Sequence, residues 1–192
     1  ATPESRELEG FDALRALPGD YYVFHSLSLL RVDEEEASIH ERESDFVVFN
    51  PAKGLVCVEC KAGKPYCQDG QWYYGSGRPM MHGGPYVQAR SAMHELLRKA
   101  EKTDGVKSFI KEFRFYHAVC FMQMGRQELR RQAMPPEALP QITIAAEDLR
   151  APEAKFEDIF RYSPSGKRAR ALSGWERDQV LHKLLCPRFE AM

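Results

Sequence analysis

ESDFVVFNPAKGLVCVECK, residues 43–61, places two apolar runs on either side of Asn50-Pro51-Ala52-Lys53-Gly54, a cluster dense in turn-forming residues. The runs Ser44–Phe49 and Leu55–Lys61 therefore read as the strands of a hairpin. A turn centred on Ala52 sets Phe49 against Leu55, Val47 against Cys57 and Asp45 against Glu59. Side chains alternate across a strand, so Asp45, Glu59 and Lys61 share one face. Directly opposed residues hold their Cβ atoms about 4.5–5.5 Å apart. Two carboxylates there repel unless a cation lies between them or one keeps its proton. Lys61 offers partial compensation. A divalent ion offers more, since Mg²⁺ and Mn²⁺ take sites of one or two carboxylates completed by water. The bland alternative is a surface hairpin with solvated charges. Against it, Phe46–Phe49 and Leu55–Val58 are apolar on both faces, the pattern of strands buried in mid-sheet.

Elements on either side can be placed by pattern. Upstream, Thr2 as a cap, Pro3 at the first helical position and Leu8, Phe11, Leu14 and Leu17 at steps of three predict a helix stopped by Pro18-Gly19. Tyr21–Leu30 predicts the first strand, and Arg31–Glu43, with its run Asp33-Glu34-Glu35-Glu36, a solvated loop. Downstream, Asp69-Gly70 predicts a small ribbon of Tyr66–Gln68 with Gln71–Tyr74. Pro85 opens a helix carrying Tyr86, Ala89, Met93, Leu96 and Ala100, with Gly105 just past its end. Strands at Phe113–Met122 and Gln141–Ala145 and helices at Pro152–Tyr162 and Trp175–Cys186 complete the reading. A basic loop, Ser163–Gly174, joins the last two.

The chain has 192 residues, 43% hydrophobic and 29% charged, enough for one globular domain. Lysines and arginines number 27 against 28 acidic residues, a net charge of −1, which excludes a globally basic nucleic-acid binder and leaves only local patches. No window approaches a membrane span and no secretory signal is visible. Five cysteines without regular spacing fit a reducing compartment, with cytoplasm the default.

The hairpin resembles the core of the PD-(D/E)XK nucleases: Glu43-Ser44-Asp45-Phe46-Val47-Val48-Phe49, then Gly54-Leu55-Val56-Cys57-Val58-Glu59-Cys60-Lys61. More narrowly it resembles the nuclease-related domain family, NERD, with Trp72 in the ribbon, Pro85 and Gln88 opening a helix followed by Leu96 and Leu97, and Glu7, Phe11 and Leu14 upstream. The resemblance spans roughly residues 5 to 100. It implies an α/β, restriction-endonuclease-like fold with a central mixed sheet flanked by helices. Asp45, Glu59 and the main-chain carbonyl of Cys60 would hold Mg²⁺ or Mn²⁺, with Glu7 approaching from the first helix. Lys61 would orient or help deprotonate the attacking water and stabilise phosphate charge, and Gln88 would position substrate or nucleophile. The expected activity is metal-dependent hydrolysis of nucleic acid, with DNA favoured. Relatives of this kind are often joined to helicases of the first superfamily, so a helicase domain in the same polypeptide is the expected partner. Residues 1–162 are then the nuclease-like domain, with its core at 5–122, and 163–192 a basic loop and helix linking onward. Ser44 departs from the proline of the superfamily name, and Ala92 stands where related nucleases carry a tyrosine after the glutamine.

Other features have plainer readings. Cys57 and Cys60 point to opposite faces of a strand, which suits buried thiols rather than shared metal ligation. The six histidines lack metal-ligand spacing, and His82 in its Gly-rich segment is the candidate for substrate contact. Tyr66, Trp72, Tyr73 and Tyr74 suit either base stacking or packing of the ribbon. Arg126, Arg130, Arg131, Lys167, Arg168 and Arg170 are candidate phosphate contacts. The rivals to a nuclease are a non-catalytic nucleic-acid- or protein-binding module on the same fold, and a metal-dependent hydrolase of another substrate.

Overall fold

A computed structural model of the chain describes residues 9–10, 12–31, 40–163, 166 and 170–186, with side chains described outside 26–31 and 40–44. The hairpin forms as read. Strand β2 (His40–Asn50) pairs antiparallel with β3 (Gly54–Lys61), Phe49 opposite Leu55 and Val47 opposite Cys57. Asn50 fixes the turn. It is fully buried, its Oδ1 accepts from Ala52 N at 3.0 Å, and its Nδ2 donates to Asp20 Oδ2 at 3.3 Å.

Strand β1 (Tyr22–Arg31) pairs antiparallel with β2 along its whole length, out to Arg31 opposite His40. This corrects the solvated-loop expectation for 31–43: residues 40–43 continue the ladder, because backbone pairing needs no apolar side chains. The acidic run Asp33–Glu36 lies outside the described residues.

After β3 come a two-stranded ribbon, β4 (Tyr66–Gln68) and β5 (Gln71–Tyr73), and helix α1 (Pro85–Lys102). Asp69 and Gly70 take positive φ, 52° and 78°, as the tight turn requires. Strand β6 (Phe115–Phe121) then adds parallel to β3, and β7 (Thr143–Ile144) parallel to β6. The main sheet runs β1-β2-β3-β6-β7, five strands of mixed direction flanked by helices. The predicted strand 141–145 shrinks to two residues because Pro140–Ile142 coils into a 3₁₀ turn. Between these strands α2 spans Arg126–Arg130, and α3 (Pro152–Arg161) follows β7.

Alternation divides the core into two. Odd-numbered Val47, Phe49, Leu55 and Cys57 meet Ala92, Leu96 and Ala100 of α1, while even-numbered Phe46, Val48, Val56 and Val58 meet a cluster holding Trp72, Phe121, Phe156 and Ile159. Trp72 is 1% exposed and lies 5.8 Å from Phe121 and 6.0 Å from Tyr86 between ring centroids. It packs the ribbon onto the core, and the half-buried Tyr66 and Tyr73 stack on each other across the ribbon at 5.2 Å. Helix α4 (Gly174–Gln179) starts on a reciprocal cap between Ser173 and Glu176 and continues as a π-helix, Val180–Leu185. Val180, Leu184 and Leu185 are buried with Leu96 and Val47. The helical residues 174–185 are thus packed into this core. No helix among the described residues is long and apolar enough to cross a membrane.

His117 on β6 gives the fold a pH signature. Burial first, then Arg90 and His94 on α1, push its pKa down from 6.5 to about 4. The unfolded chain therefore takes up this proton more readily, and stability is lost as pH falls from about 6.5 toward about 4. The loss is expected to be about 3 kcal/mol from this residue, read from urea midpoints across that window. In His117→Gln the slope of midpoint against pH should flatten there; an unaltered slope would assign the acid sensitivity elsewhere.

Candidate active site

The β2–β3 ladder stops at Phe46 opposite Val58, one pair short of the acidic residues. From there the strands part, and the Asp45 carboxylate takes over from the backbone: its Oδ2 accepts from Cys60 N at 2.6 Å. In an extended strand a residue's N–H and C=O lie along the same edge. The Cys60 carbonyl therefore faces the gap held by Asp45. The Lys61 carbonyl turns the other way, to β6, where it accepts from Met122 N at 3.1 Å.

Glu59 and Lys61 close the same end of β3. Lys61 Nζ donates to Glu59 Oε1 at 2.6 Å and to Gln88 Oε1 at 3.0 Å. Gln88 sits in the first turn of α1, and its Nε2 in turn donates to Met81 O at 2.9 Å. Its amide is thereby oriented with oxygen toward Lys61 and nitrogen toward the glycine-rich loop. Glu59 is only 8% exposed, in a chain where it and Asn50 are the buried polar residues among those described. A buried carboxylate–ammonium pair adds little net stability once desolvation is counted, so its position on a mid-sheet strand points to chemistry rather than folding.

The electrostatics arise from the same contacts. Burial works against the Lys61 ammonium, but the charge and hydrogen bond of Glu59, then Asp45 and Tyr74, outweigh it and hold the pKa above the ordinary lysine value. The Cys60 thiol is pushed well up, first by its hydrogen bond to Cys120 on the neighbouring strand and then by burial. It stays a neutral thiol. Cys57 packs on the other face, and all five cysteines are free.

Among the described residues no three His, Cys, Asp or Glu side chains cluster as a ready metal cage. The groups nearest the gap that could serve as donors are the Asp45 and Glu59 carboxylates and a main-chain oxygen. An oxygen-only set of that kind would suit a hard divalent cation that keeps several waters, and not a thiophilic one. Of the sequence candidates, the structure brings together Asp45, Glu59, Cys60, Lys61 and Gln88. Glu7, Lys167 and Arg168 lie outside the described residues. Arg170 is elsewhere: its backbone N bonds Glu112 O, its guanidinium pairs with Glu112 and, at 2.8 Å, with Glu176, and nearby Leu172 N bonds Pro51 O in the hairpin turn. That turn is the opposite end of β3, about 23 Å from Lys61 at strand rise. Arg170 ties the last helix to the sheet at the end of β3 away from Lys61. Met81 as a partner of Gln88 and Tyr74 as a neighbour of Lys61 were not anticipated. The glycines at 75, 77, 83 and 84, which let the loop double back onto α1, were their only sequence signal.

A mixed sheet flanked by helices, with an acidic pair and a lysine at the end of a central strand, defines a nuclease-like fold. The family model of the nuclease-related domain, NERD, matches residues 4–122, and the chain belongs to that family. No curated protein and no solved structure matched it.

Proposed function

We propose that this protein is a divalent-metal-dependent nuclease that hydrolyses phosphodiester bonds in nucleic acid, with DNA as the substrate its family resemblance favours. The observation that carries the reading is the relay Met81–Gln88–Lys61–Glu59 beside an Asp45 carboxylate that bridges the strands where their ladder ends. Asp45, Glu59 and the Cys60 carbonyl would hold Mg²⁺ or Mn²⁺, which supplies Lewis-acid polarisation of the phosphoryl group and activation of water. Lys61, donating to two acceptors, presents a fixed ammonium to the charge that builds on the phosphate. Gln88 keeps that ammonium aimed, since its own rotation is blocked by the Met81 carbonyl. Glu59, shared between the cation and Lys61, couples the two charges. A helicase domain in the same polypeptide belongs to this proposal on resemblance alone; a reading frame beyond Met192 without helicase motifs would remove it.

The test is cleavage of single- and double-stranded DNA and RNA with Mg²⁺, Mn²⁺ or EDTA. Activity should require the metal and fall at least a hundredfold in Glu59→Gln, which keeps shape but loses the charge. Equal cleavage by wild type and Glu59→Gln, or cleavage in EDTA, would overturn the assignment. Metal-independent binding with no cleavage would favour the non-catalytic module.

A further inference from the structure

The carboxyl ends of β3, β6 and β7 lie side by side, with Lys61 in register with Phe121 and Cys120 with Ile144. The chain leaving Lys61 is bound directly to the segment after β6: Gly63 N donates to Gln123 Oε1 at 2.6 Å, and Lys64 pairs with Glu128 of α2 at 2.6 Å. Gln132, just past α2, donates to Pro65 O at 3.4 Å. Three extended residues reach at most about 10 Å, so α2 borders the Lys61 site.

Beyond this border a cleft of about 640 Å³ opens between α2, the 131–140 connection, β7 and α3. That is the size of a small-molecule site. One wall is apolar, made by Leu129, Met134, Ala138 and Pro140. The polar groups are cations in excess: Arg126, Arg130 and Lys155 against Asp148 and Asp158. Asp148 is already engaged by Arg126 at 2.6 Å and by the Ala145 amide at 2.8 Å. Arg130 is exposed and in no salt bridge among the described residues. Lys155 is half-buried, its ammonium held by the Pro140 carbonyl at 2.9 Å, and burial lowers its pKa, so an anion beside it would relieve a desolvated charge. The Gln132 Oε1 atom is buried and lacks a hydrogen-bond partner among the described residues. A buried acceptor of this kind gains from a ligand N–H once the Gln132 side chain turns into the cleft it lines.

We infer that this cleft is a nucleotide subsite: it takes one unpaired nucleotide, the base against the Leu129–Met134 wall with an N–H to Gln132, and the phosphate on Arg130 and Lys155. The inference rests on the nuclease reading for its substrate class and deepens it. A strand cut at Lys61 would place a neighbouring nucleotide, one or two units away along the sheet edge, in this cleft. The protein would thereby prefer single-stranded ends or unstacked nucleotides, because a paired base cannot enter.

The probes are deoxyadenosine 5′-monophosphate and a ten-nucleotide single strand. Binding is followed by titration in EDTA with wild type, Glu59→Gln, Arg130→Glu and Met134→Trp, the last filling the cleft from a half-buried wall position. Deoxyadenosine monophosphate should bind wild type and Glu59→Gln alike, and at least tenfold more weakly in Arg130→Glu and Met134→Trp. A parallel loss for the single strand supports a strand subsite, whereas strand binding indifferent to both variants would reassign the cleft to free nucleotides and overturn the subsite. No binding of the mononucleotide, or equal binding by all four proteins, also overturns it. Because the titration needs no cleavage, nucleotide binding without hydrolysis would sink the nuclease reading alone, and hydrolysis without nucleotide binding the cleft alone.

Discussion

Lys61→Met should lower the single-turnover cleavage rate by about 10²–10⁴-fold, with substrate affinity changed far less. Methionine keeps the length and the apolar stem of lysine but presents no ammonium to Glu59 Oε1 or to Gln88 Oε1. A group that answers charge developing on the phosphate acts in the transition state, so its loss belongs in the rate rather than in binding. Gln88→Ala provides the comparison. It leaves the ammonium in place but removes the group that aims it, and a smaller loss, about tenfold, is expected. Urea unfolding of both variants separates chemistry from fold, since Glu59 is buried and loses its counter-charge in Lys61→Met. Cleavage within threefold of wild type in a folded Lys61→Met protein would remove the lysine from the mechanism.

Gly84→Ala should cost about 3 kcal/mol or more of stability, read from urea midpoints. Gly84 has φ 87° and ψ −179°, a region open essentially to glycine. An added Cβ would also collide with Trp72 Cδ1 and stand 2.7 Å from its Cγ. The indole has nowhere to go, being packed on Phe121 and Tyr86. Activity should fall too, because Gly84 O accepts from Gln88 N and any shift there is passed to the amide that aims Lys61. A loss below about 1 kcal/mol would mean that the loop and ribbon separate cheaply.

How much of this was legible depends on how local each cause is. The hairpin and its register came from a turn cluster and an alternation within nineteen residues, and the same reading put Asp45, Glu59 and Lys61 on one face. The early end of the ladder was not legible, because it depends on a side chain, Asp45, replacing a backbone partner of Cys60. Gln88 was reachable only through resemblance, since nothing in a helix pattern says which polar residue turns toward a lysine on a distant strand. The ion pairs of Arg170 were illegible for the opposite reason. A basic residue among Ser and Gly looks free until Glu112, distant in sequence, is folded beside it. The parallel pairing of β6 with β3, and the membership of Val180 and Leu184 in the α1 core, likewise depend on contacts between segments far apart in the chain.

The buried Asn50 turn has a reach beyond its own loop. Were β2 to slip by one residue against β3, Ser44 or Phe46 would arrive where Asp45 now holds Cys60, and the acid would swing to the opposite side of the sheet. Asn50, by clasping Ala52 and Asp20, acts as the spacer gauge for the candidate site at the far tip of the same two strands. Adding or deleting a single residue between Asn50 and Gly54 is therefore expected to disarm the proposed site without touching Asp45, Glu59 or Lys61.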